Sequence, residues 1–206
     1  MWNAKRVYRI YRLLKLNLRR KGKNAYLTGI HSRWLFRIKM NHCWSVDFMS
    51  DALLDGRRFR LFNVVDNFNR EALAIEVDLN IPAHRVVRIL ERLSAERGYP
   101  AFIRSDNGPE LTAAALAEWA ELHGVILDFI QPGRPMQNGF IERFNKTLRT
   151  AILDMYLFRT LSEVRVLTEY WRAEYNEERP HSSLGDMPPV IYARQKLAGD
   201  PHWRWY

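Results

Sequence analysis

The sequence of 206 residues has a single cysteine, Cys43, and no long uninterrupted apolar segment. One cysteine cannot form an internal disulfide and cannot supply a cysteine-rich zinc site. Charged residues interrupt every apolar run well before the roughly 18 consecutive residues that a membrane-spanning helix requires. The N-terminus is basic, but no apolar signal segment follows it. These absences predict a soluble protein of the cell interior.

Acidic residues are missing from the first 46 positions. Residues 1–40 contain twelve Lys and Arg, whereas the rest of the chain has 20 of them against 23 Asp and Glu. A basic arm beside a near-neutral body predicts a polyanionic partner, and nucleic acid is favoured because aromatic residues lie between the basic ones. A solubilising tail is the alternative. Within the arm, the candidate contacts to DNA are Lys15, Arg19, Arg20 and Lys21.

The spacing of apolar residues predicts an amphipathic helix followed by an α/β domain. Three strands come first and strands and helices alternate after them, which is typical of a mixed central sheet. Residues 1–40 are interpreted as a DNA-binding arm and linker, 41–178 as a catalytic core, and 179–206 as a proline-punctuated tail. The predicted helices are 4–20, 83–97, 111–123, 140–155 and 161–176, and the predicted strands are 44–49, 59–66, 72–77, 101–105 and 125–130.

Three carboxylates stand at positions that favour chemistry. Asp47 lies within an otherwise apolar strand, where an ionised carboxylate is costly unless it is paired or binds a metal. Asp106 follows a short strand, at the edge where ligands of α/β sheets bind. Glu142 lies in the first turn of a helix after a loop rich in Pro and Gly. The alternatives are a solvated strand face for Asp47, an Asx turn for Asp106, and an i,i+4 pair with Lys146 for Glu142.

These positions resemble the Asp, Asp, 35, Glu signature of retroviral-type integrases and related insertion-sequence transposases. Asp106 and Glu142 have 35 residues between them. The flanks agree, since they read Trp44-Ser-Val-Asp47, Ser105-Asp106-Asn-Gly-Pro-Glu and Asn138-Gly-Phe-Ile-Glu142-Arg-Phe-Asn. The segment Tyr175-Asn-Glu-Glu-Arg-Pro-His181-Ser-Ser-Leu resembles the end of bacterial insertion-sequence transposases made from two overlapping frames. The resemblance covers residues 4–192.

The resemblance implies an RNase H-like fold with a mixed five-stranded sheet flanked by helices. It implies that Asp47, Asp106 and Glu142 are the catalytic residues of a DDE-type transposase and bind two Mg²⁺ ions, for which Mn²⁺ substitutes. In the family, the residue equivalent to Asp47 bridges the ions and the other two each hold one. The implied activity is metal-dependent cleavage of DNA 3′ ends and strand transfer during transposition, with no protein nucleophile.

The resemblance also implies partners. Arg149 occupies the position of a basic DNA-contacting residue of the family, seven residues after Glu142. The expected partners are transposon ends, target DNA, further copies of this chain on DNA, and an upstream-frame helix-turn-helix product as a partner or fusion. The expected location is the bacterial cytoplasm, at the nucleoid. Further candidate DNA contacts in and before the same helix are Lys146, Asn145, Arg134 and Gln137.

Two departures from the family keep alternatives open. The chain lacks the His/His/Cys/Cys zinc domain of retroviral integrases, and Met1 falls inside the family's pattern. We therefore expect a shortened frame, either a degenerate copy or the downstream half of a frameshifted protein. A catalytically silent DNA-binding remnant that modulates full-length copies is one alternative, and a nuclease on RNA–DNA hybrids is another. Asp66 is interpreted as a turn former outside the triad, and Asp51 is a second rival carboxylate.

Overall fold

The part of the chain that can be described comprises residues 39–131 and 138–198 of a computed structural model. Within these ranges no helix combines the length and the apolarity needed to cross a bilayer. The predicted domain boundaries, after residues 40 and 178, stay predictions. The predicted helix over residues 4–20 lies outside the described residues, as do the predicted DNA contacts Lys15, Arg19, Arg20, Lys21, Arg134 and Gln137.

Three antiparallel strands open the described chain: β1 (Cys43–Ala52), β2 (Arg58–Asp66) and β3 (Ala72–Asp78). β2 pairs with β1 on one side and with β3 on the other. The turn between β1 and β2 depends on Gly56, whose φ of +84° is unfavourable for other residues. All three predicted strands are confirmed, and each extends beyond its predicted limits.

Helices and parallel strands then alternate as α1 (Ala83–Arg97), β4 (Phe102–Ser105), α2 (Ala114–Leu122) and β5 (Ile126–Phe129). β4 pairs in parallel with β1, and β5 with β4, so the strand order is β3-β2-β1-β4-β5. This confirms the mixed five-stranded sheet and puts β1 at its centre. α2 begins three residues later than predicted, because a turn accepting hydrogen bonds at the Gly108 carbonyl precedes it.

The second half of the described chain is helical and departs from the prediction in two places. α3 (Gly139–Leu148) continues as a π-helical turn, Arg149–Leu153, where an α-helix was predicted through residue 155. α4 (Leu161–Glu177) matches its prediction closely. Within the segment interpreted as a proline-punctuated tail, α5 (Pro189–Ala198) forms, and it was not predicted. Its proline is the first helical residue, where the missing N–H breaks no intrahelical bond.

The two faces of the sheet are covered by different helix pairs. Trp44 and Val46 of β1 pack in a core with α1 and α2, whereas Met49 packs in a second core with α3 and α4. Since side chains alternate along a strand, Asp47 lies on the same face as α3. The position of Asp47 relative to Glu142 therefore depends on how α3 packs on this face.

α4 is attached to the edge strand by a buried amide. Asn176 accepts a hydrogen bond from the N–H of Ala72 at 2.8 Å and donates one to the Ala72 carbonyl oxygen at 3.0 Å. Arg172 also donates to that carbonyl, at 3.2 Å. Among these contacts, the Asn176 side chain is therefore the only acceptor for the N–H of Ala72.

We expect Asn176→Ala to lower the free energy of unfolding by about 1–3 kcal/mol, because it leaves the N–H of Ala72 without its acceptor. Denaturant unfolding monitored by circular dichroism measures this change. Glu177→Ala, at an exposed position one residue further on, is the control and should change the free energy by less than about 0.5 kcal/mol. Equal effects of the two substitutions would contradict the assigned role.

Candidate active site

Asp47 is held near the centre of the sheet by two hydrogen bonds. The backbone N–H of Phe48 donates to Oδ1 at 2.7 Å, and Nδ2 of Asn145 donates to Oδ2 at 2.8 Å. Burial is the main cause that raises the pKa of Asp47 to about 6, and the negative charges of Asp106 and Glu142 act in the same direction, against these two hydrogen bonds. Two carboxylates from other elements thus act on the Asp47 carboxyl.

Asp106 is fixed in the loop that follows β4. Its Oδ1 accepts a hydrogen bond from the N–H of Gly108 at 3.1 Å, which is the Asx turn left open as an alternative. A Cβ at Gly108 would lie 3.1 Å from the same oxygen, so glycine permits this close approach. Glu110 forms an ion pair with Arg60 of β2, which ties the loop to the sheet. The turn therefore orients the Asp106 side chain, which still acts on Asp47.

Glu142 is carried by the first turn of α3 and is exposed. Asn138, buried at the start of that helix, donates to the carbonyl oxygen of Val46 at 3.4 Å and so holds the helix start against β1. The predicted apolar stripe of Ile141, Phe144 and Leu148 is buried in the core below. In the described part of the chain, Glu142 forms no ion pair with Lys146, so the alternative of a surface pair is not seen.

The donor set of the three predicted carboxylates suits a hard divalent cation. Their oxygens are the ligand type that Mg²⁺ prefers, and Asp106 and Glu142 both act on Asp47. Across residues 39–131 and 138–198, however, no three His, Cys, Asp or Glu side chains already stand in an arrangement that could hold a metal ion. The chemistry of these oxygen donors fits a metal ion, whereas the described residues do not form a preorganised coordination site.

Asn145 has a role other than the predicted DNA contact. It is buried, and while its Nδ2 donates to Asp47, its Oδ1 accepts from Nδ2 of Asn63 at 2.8 Å. The side chain points to the sheet because Asn145 lies beside Phe144 on the buried side of α3. The sequence analysis missed Asn63, although a lone amide in the apolar run Leu61–Val65 was the available signal.

Lys146 and Arg149 stay predicted DNA contacts. Lys146 is exposed on α3. Arg149 donates to the carbonyl oxygen of Ser50 at 2.9 Å and to Oδ2 of Asp51 at 3.3 Å. Its side chain is nevertheless 40% exposed. Asp51, one of the two rival carboxylates, is therefore engaged at the end of β1 by Arg149.

Comparisons with known proteins agree on one family. Two family models, each described as an integrase core domain, match residues 38–135 and 123–189. A protein of insertion element IS407 from Burkholderia multivorans is 42% identical over 196 residues, which cover 95% of this chain and 71% of that protein. This chain belongs to the insertion-sequence transposases with an integrase core domain. It is thus a transposase of the polynucleotidyl-transferase type, and its function is transposition.

Two further relatives bear on the same family. Transposase InsD of insertion element IS2D from Escherichia coli K12 is 30% identical over 202 residues, covering 94% of this chain and 67% of that protein. A protein of insertion element IS476 from Xanthomonas euvesicatoria is 40% identical over 191 residues, covering 93% of this chain. The chain spans 55% of the length of the latter.

The fold agrees with that of solved integrase cores. The catalytic core domain of HTLV-2 integrase, solved in complex with magnesium, superposes with a TM-score of 0.59 at 16% identity. The match covers 76% of this transposase and 98% of the viral domain. At this identity the likeness concerns the fold alone, and it confirms the RNase H-like architecture implied by the sequence resemblance.

Asp66, the other rival carboxylate, organises the backbone of the transposase and lies outside the triad. It is fully buried and accepts hydrogen bonds from the N–H groups of Asn41 at 2.7 Å and of Phe68 at 2.8 Å. The second bond makes the turn that was predicted for this residue. Burial raises the pKa of Asp66 to about 6, with Glu71 raising it and Arg97 lowering it.

This pKa has a consequence for stability. Because the folded pKa of about 6 exceeds the usual 3.8, the folded protein keeps a proton that the unfolded chain releases between these values. The contribution of Asp66 to the free energy of unfolding therefore falls as the pH rises from about 4 to about 6. Asp66→Asn cannot ionise, so we expect its stability relative to the unsubstituted protein to increase across that range.

Urea unfolding at several pH values between about 4 and about 7 measures this difference. Asp186→Asn, which changes an exposed carboxyl, is the matched control and should show no such trend. A difference between Asp66→Asn and the unsubstituted protein that stays constant with pH would refute the expectation.

Proposed function

We propose that this transposase cleaves the 3′ ends of its insertion sequence in a metal-dependent reaction and joins them to target DNA. The observation that carries the proposal is that Asp106, in the loop after β4, and Glu142, on α3, both act on the Asp47 carboxyl of β1. Burial is the main cause of the raised pKa of Asp47, and the negative charges of Asp106 and Glu142 add repulsion that a divalent cation would relieve. The family membership supports the same chemistry.

Asp47, Asp106 and Glu142 would hold the metal, with Mg²⁺ as the natural ion, Mn²⁺ as its substitute, and Asp47 as the shared ligand of two ions. Bound divalent ions would stabilise the attacking and leaving oxygens of an in-line phosphoryl displacement. Asn145 and the N–H of Phe48 hold the Asp47 carboxylate in one orientation. These bonds also favour its ionised form, which is the form that binds metal.

The bond changes need no protein nucleophile. In cleavage, a water oxygen bonds to the phosphorus at the element's end while the bond from phosphorus to the 3′ oxygen breaks, leaving a 3′-hydroxyl. In joining, that 3′ oxygen bonds to a phosphorus of the target while the target's own bond to its 3′ oxygen breaks. The proton of the attacking hydroxyl goes to solvent and the released 3′ oxygen of the target takes up a proton, so the numbers of phosphodiester bonds and of hydroxyl groups are conserved in the second step.

The basic residues would supply contacts to DNA phosphates. Lys146 lies one helical turn after Glu142 on α3, Arg149 begins the π-helical turn that follows, and the arm of residues 1–40 adds charge. Such contacts give binding that weakens with salt and is largely independent of sequence. The proposed setting is an oligomer on paired transposon ends in the bacterial cytoplasm, at the nucleoid, with an upstream-frame helix-turn-helix product as a partner or fusion.

We expect Asp106→Asn and Glu142→Gln each to reduce cleavage and joining by at least about 100-fold, because each removes a charged oxygen donor from the site. The assay uses the full chain with oligonucleotides that carry the element's terminal repeats, in Mg²⁺ and in Mn²⁺. Glu118→Gln, at an exposed position of α2, is the control and should keep the activity of the unsubstituted protein.

Two outcomes of this assay would overturn the proposal. Cleavage that survives Asp106→Asn and Glu142→Gln would remove these carboxylates from the reaction. Binding of the terminal repeats without any cleavage by the unsubstituted protein would favour the silent remnant that modulates full-length copies.

The metal can also be detected without activity. We expect about 10 mM Mg²⁺ to raise the melting temperature of the unsubstituted protein by about 2–4 °C, since an ion that binds the folded state stabilises it. Asp47→Asn should abolish this increase, whereas Asp55→Asn in the exposed β1–β2 turn should retain it. A Mg²⁺-induced increase of the same size in Asp47→Asn and the unsubstituted protein would contradict the assigned ligand.

A further inference from the structure

The segment Tyr175–Leu184, which resembles the end of insertion-sequence transposases, folds back onto the helix that carries Glu142. The Tyr175 ring contacts Phe144 of α3 edge-on, with 5.1 Å between ring centroids. His181 contacts Tyr175 in the same way at 4.9 Å. Leu184 is buried, and the N–H of His181 donates to the carbonyl oxygen of Met187. The segment therefore has a fixed position next to α3.

Two exposed arginines lie close in sequence to the rings at the two ends of these contacts, Phe144 and His181. Arg143 follows Glu142 on α3, and Arg179 lies two residues before His181. In the part of the chain that the structure describes, neither guanidinium forms an ion pair with a carboxylate, although the exposed Glu178 is adjacent to Arg179 in sequence. Two cations thus stand at the surface without a bound counter-charge.

A third arginine lies beneath them. Arg70 is 5% exposed, and its guanidinium carbon lies 3.4 Å from the centroid of the Phe140 ring, one helical turn before Arg143. It also donates to the carbonyl oxygen of Asn67. These contacts hold the buried Arg70 guanidinium, and therefore its positive charge, in place beside the first turn of α3.

The charges act together on the aromatic side chains between them. Burial is the main cause that lowers the pKa of His181 to about 4, and Arg179, Arg70 and Arg143 contribute in the same direction. The same three arginines act on the Tyr175 hydroxyl. His181 is therefore neutral at pH 7 and adds no charge of its own. Of the three guanidinium groups, those of Arg143 and Arg179 are exposed to solvent.

We propose that Arg143 and Arg179 form a binding site for phosphates of the DNA backbone beside the active-site helix. The planar guanidinium group matches the geometry of phosphate oxygens and binds them in pairs. The proposal rests on the proposed function in taking DNA as the ligand. The site is separate from the side of α3 that carries Lys146 and Arg149, because consecutive helical residues such as Glu142 and Arg143 are rotated by about 100°.

The test is the salt dependence of DNA binding by the full chain, measured by fluorescence anisotropy with a labelled duplex that carries the terminal repeat. Each phosphate contact contributes about 0.9 to the slope of log affinity against log salt. We expect Arg143→Gln and Arg179→Gln each to reduce the slope by about this amount, and the double substitution by about twice as much. Arg143→Lys and Arg179→Lys keep the charge and should keep most of the slope.

Arg88→Gln is the matched control, since Arg88 is exposed on α1, which packs on the opposite face of the sheet. It changes the net charge equally and should leave the slope within about 0.3 of that of the unsubstituted protein. Slopes for Arg143→Gln and Arg179→Gln that equal the slope for Arg88→Gln would overturn the site. Melting temperatures of all variants establish that each one is folded.

Failure of this site is distinguishable from failure of the proposed function. If the unsubstituted protein cleaves and joins DNA while the substitutions leave its slope unchanged, the site is wrong and the function stands. If the unsubstituted protein binds DNA without cleavage and the substitutions lower its slope, the site stands and the function falls.

Discussion

The hydrogen bonds of one amide, Asn145, connect the sheet to the helix that carries Glu142, the third carboxylate of the candidate site. Asn145 contacts Asp47 of β1 and Asn63 of β2 at 2.8 Å each. The position of Glu142 relative to Asp47 depends on how α3 packs on these strands, and Asn145 and Asn138 both make polar contacts between them. Buried hydrogen bonds are directional, so they fix the position of α3 on the two strands. Apolar packing alone would allow the helix to slide along the sheet.

The candidate site contains electrostatic repulsion, which disfavours the folded state and is offset by the rest of the fold. Burial and two neighbouring carboxylates raise the pKa of Asp47 to about 6. Nothing in the packing of β1 requires a carboxylate at this position, and an apolar residue there would remove the repulsion. A local arrangement that disfavours the folded state is typical of sites selected for ligand binding. Here the ligand implied by three oxygen donors is a divalent cation.

The C-terminal part of the described chain serves both packing and electrostatics. Asn176 joins α4 to the edge strand through Ala72, and Tyr175 packs on Phe144 of α3. The same few residues hold Arg179 and His181 beside α3. A segment that the sequence presented as one motif therefore packs against α3 and carries the positive charge of Arg179 beside His181.

Much of the fold followed from local patterns in the sequence. The hairpin turn at Gly56, the helix Ala83–Arg97 and the alternation of later elements depend on residues close together in the chain, so periodicity and turn chemistry predict them. α5 was missed because the prolines in this segment were interpreted as breaks in secondary structure. The helix nevertheless begins at one of these prolines. The π-helical turn Arg149–Leu153 was missed because its apolar spacing continues that of α3.

The sequence by itself determined which three carboxylates to consider, because Asp47, Asp106 and Glu142 are set by spacing and by immediate neighbours. It also determined that Asp66 would form a turn, since that hydrogen bond reaches only two residues along the chain. Only the tertiary structure decided that Asn145 faces Asp47, 98 residues away, and that Arg70, Arg143 and Arg179 share one field. Contacts between elements depend on how helices pack on the sheet, and no local pattern of residue types encodes that packing.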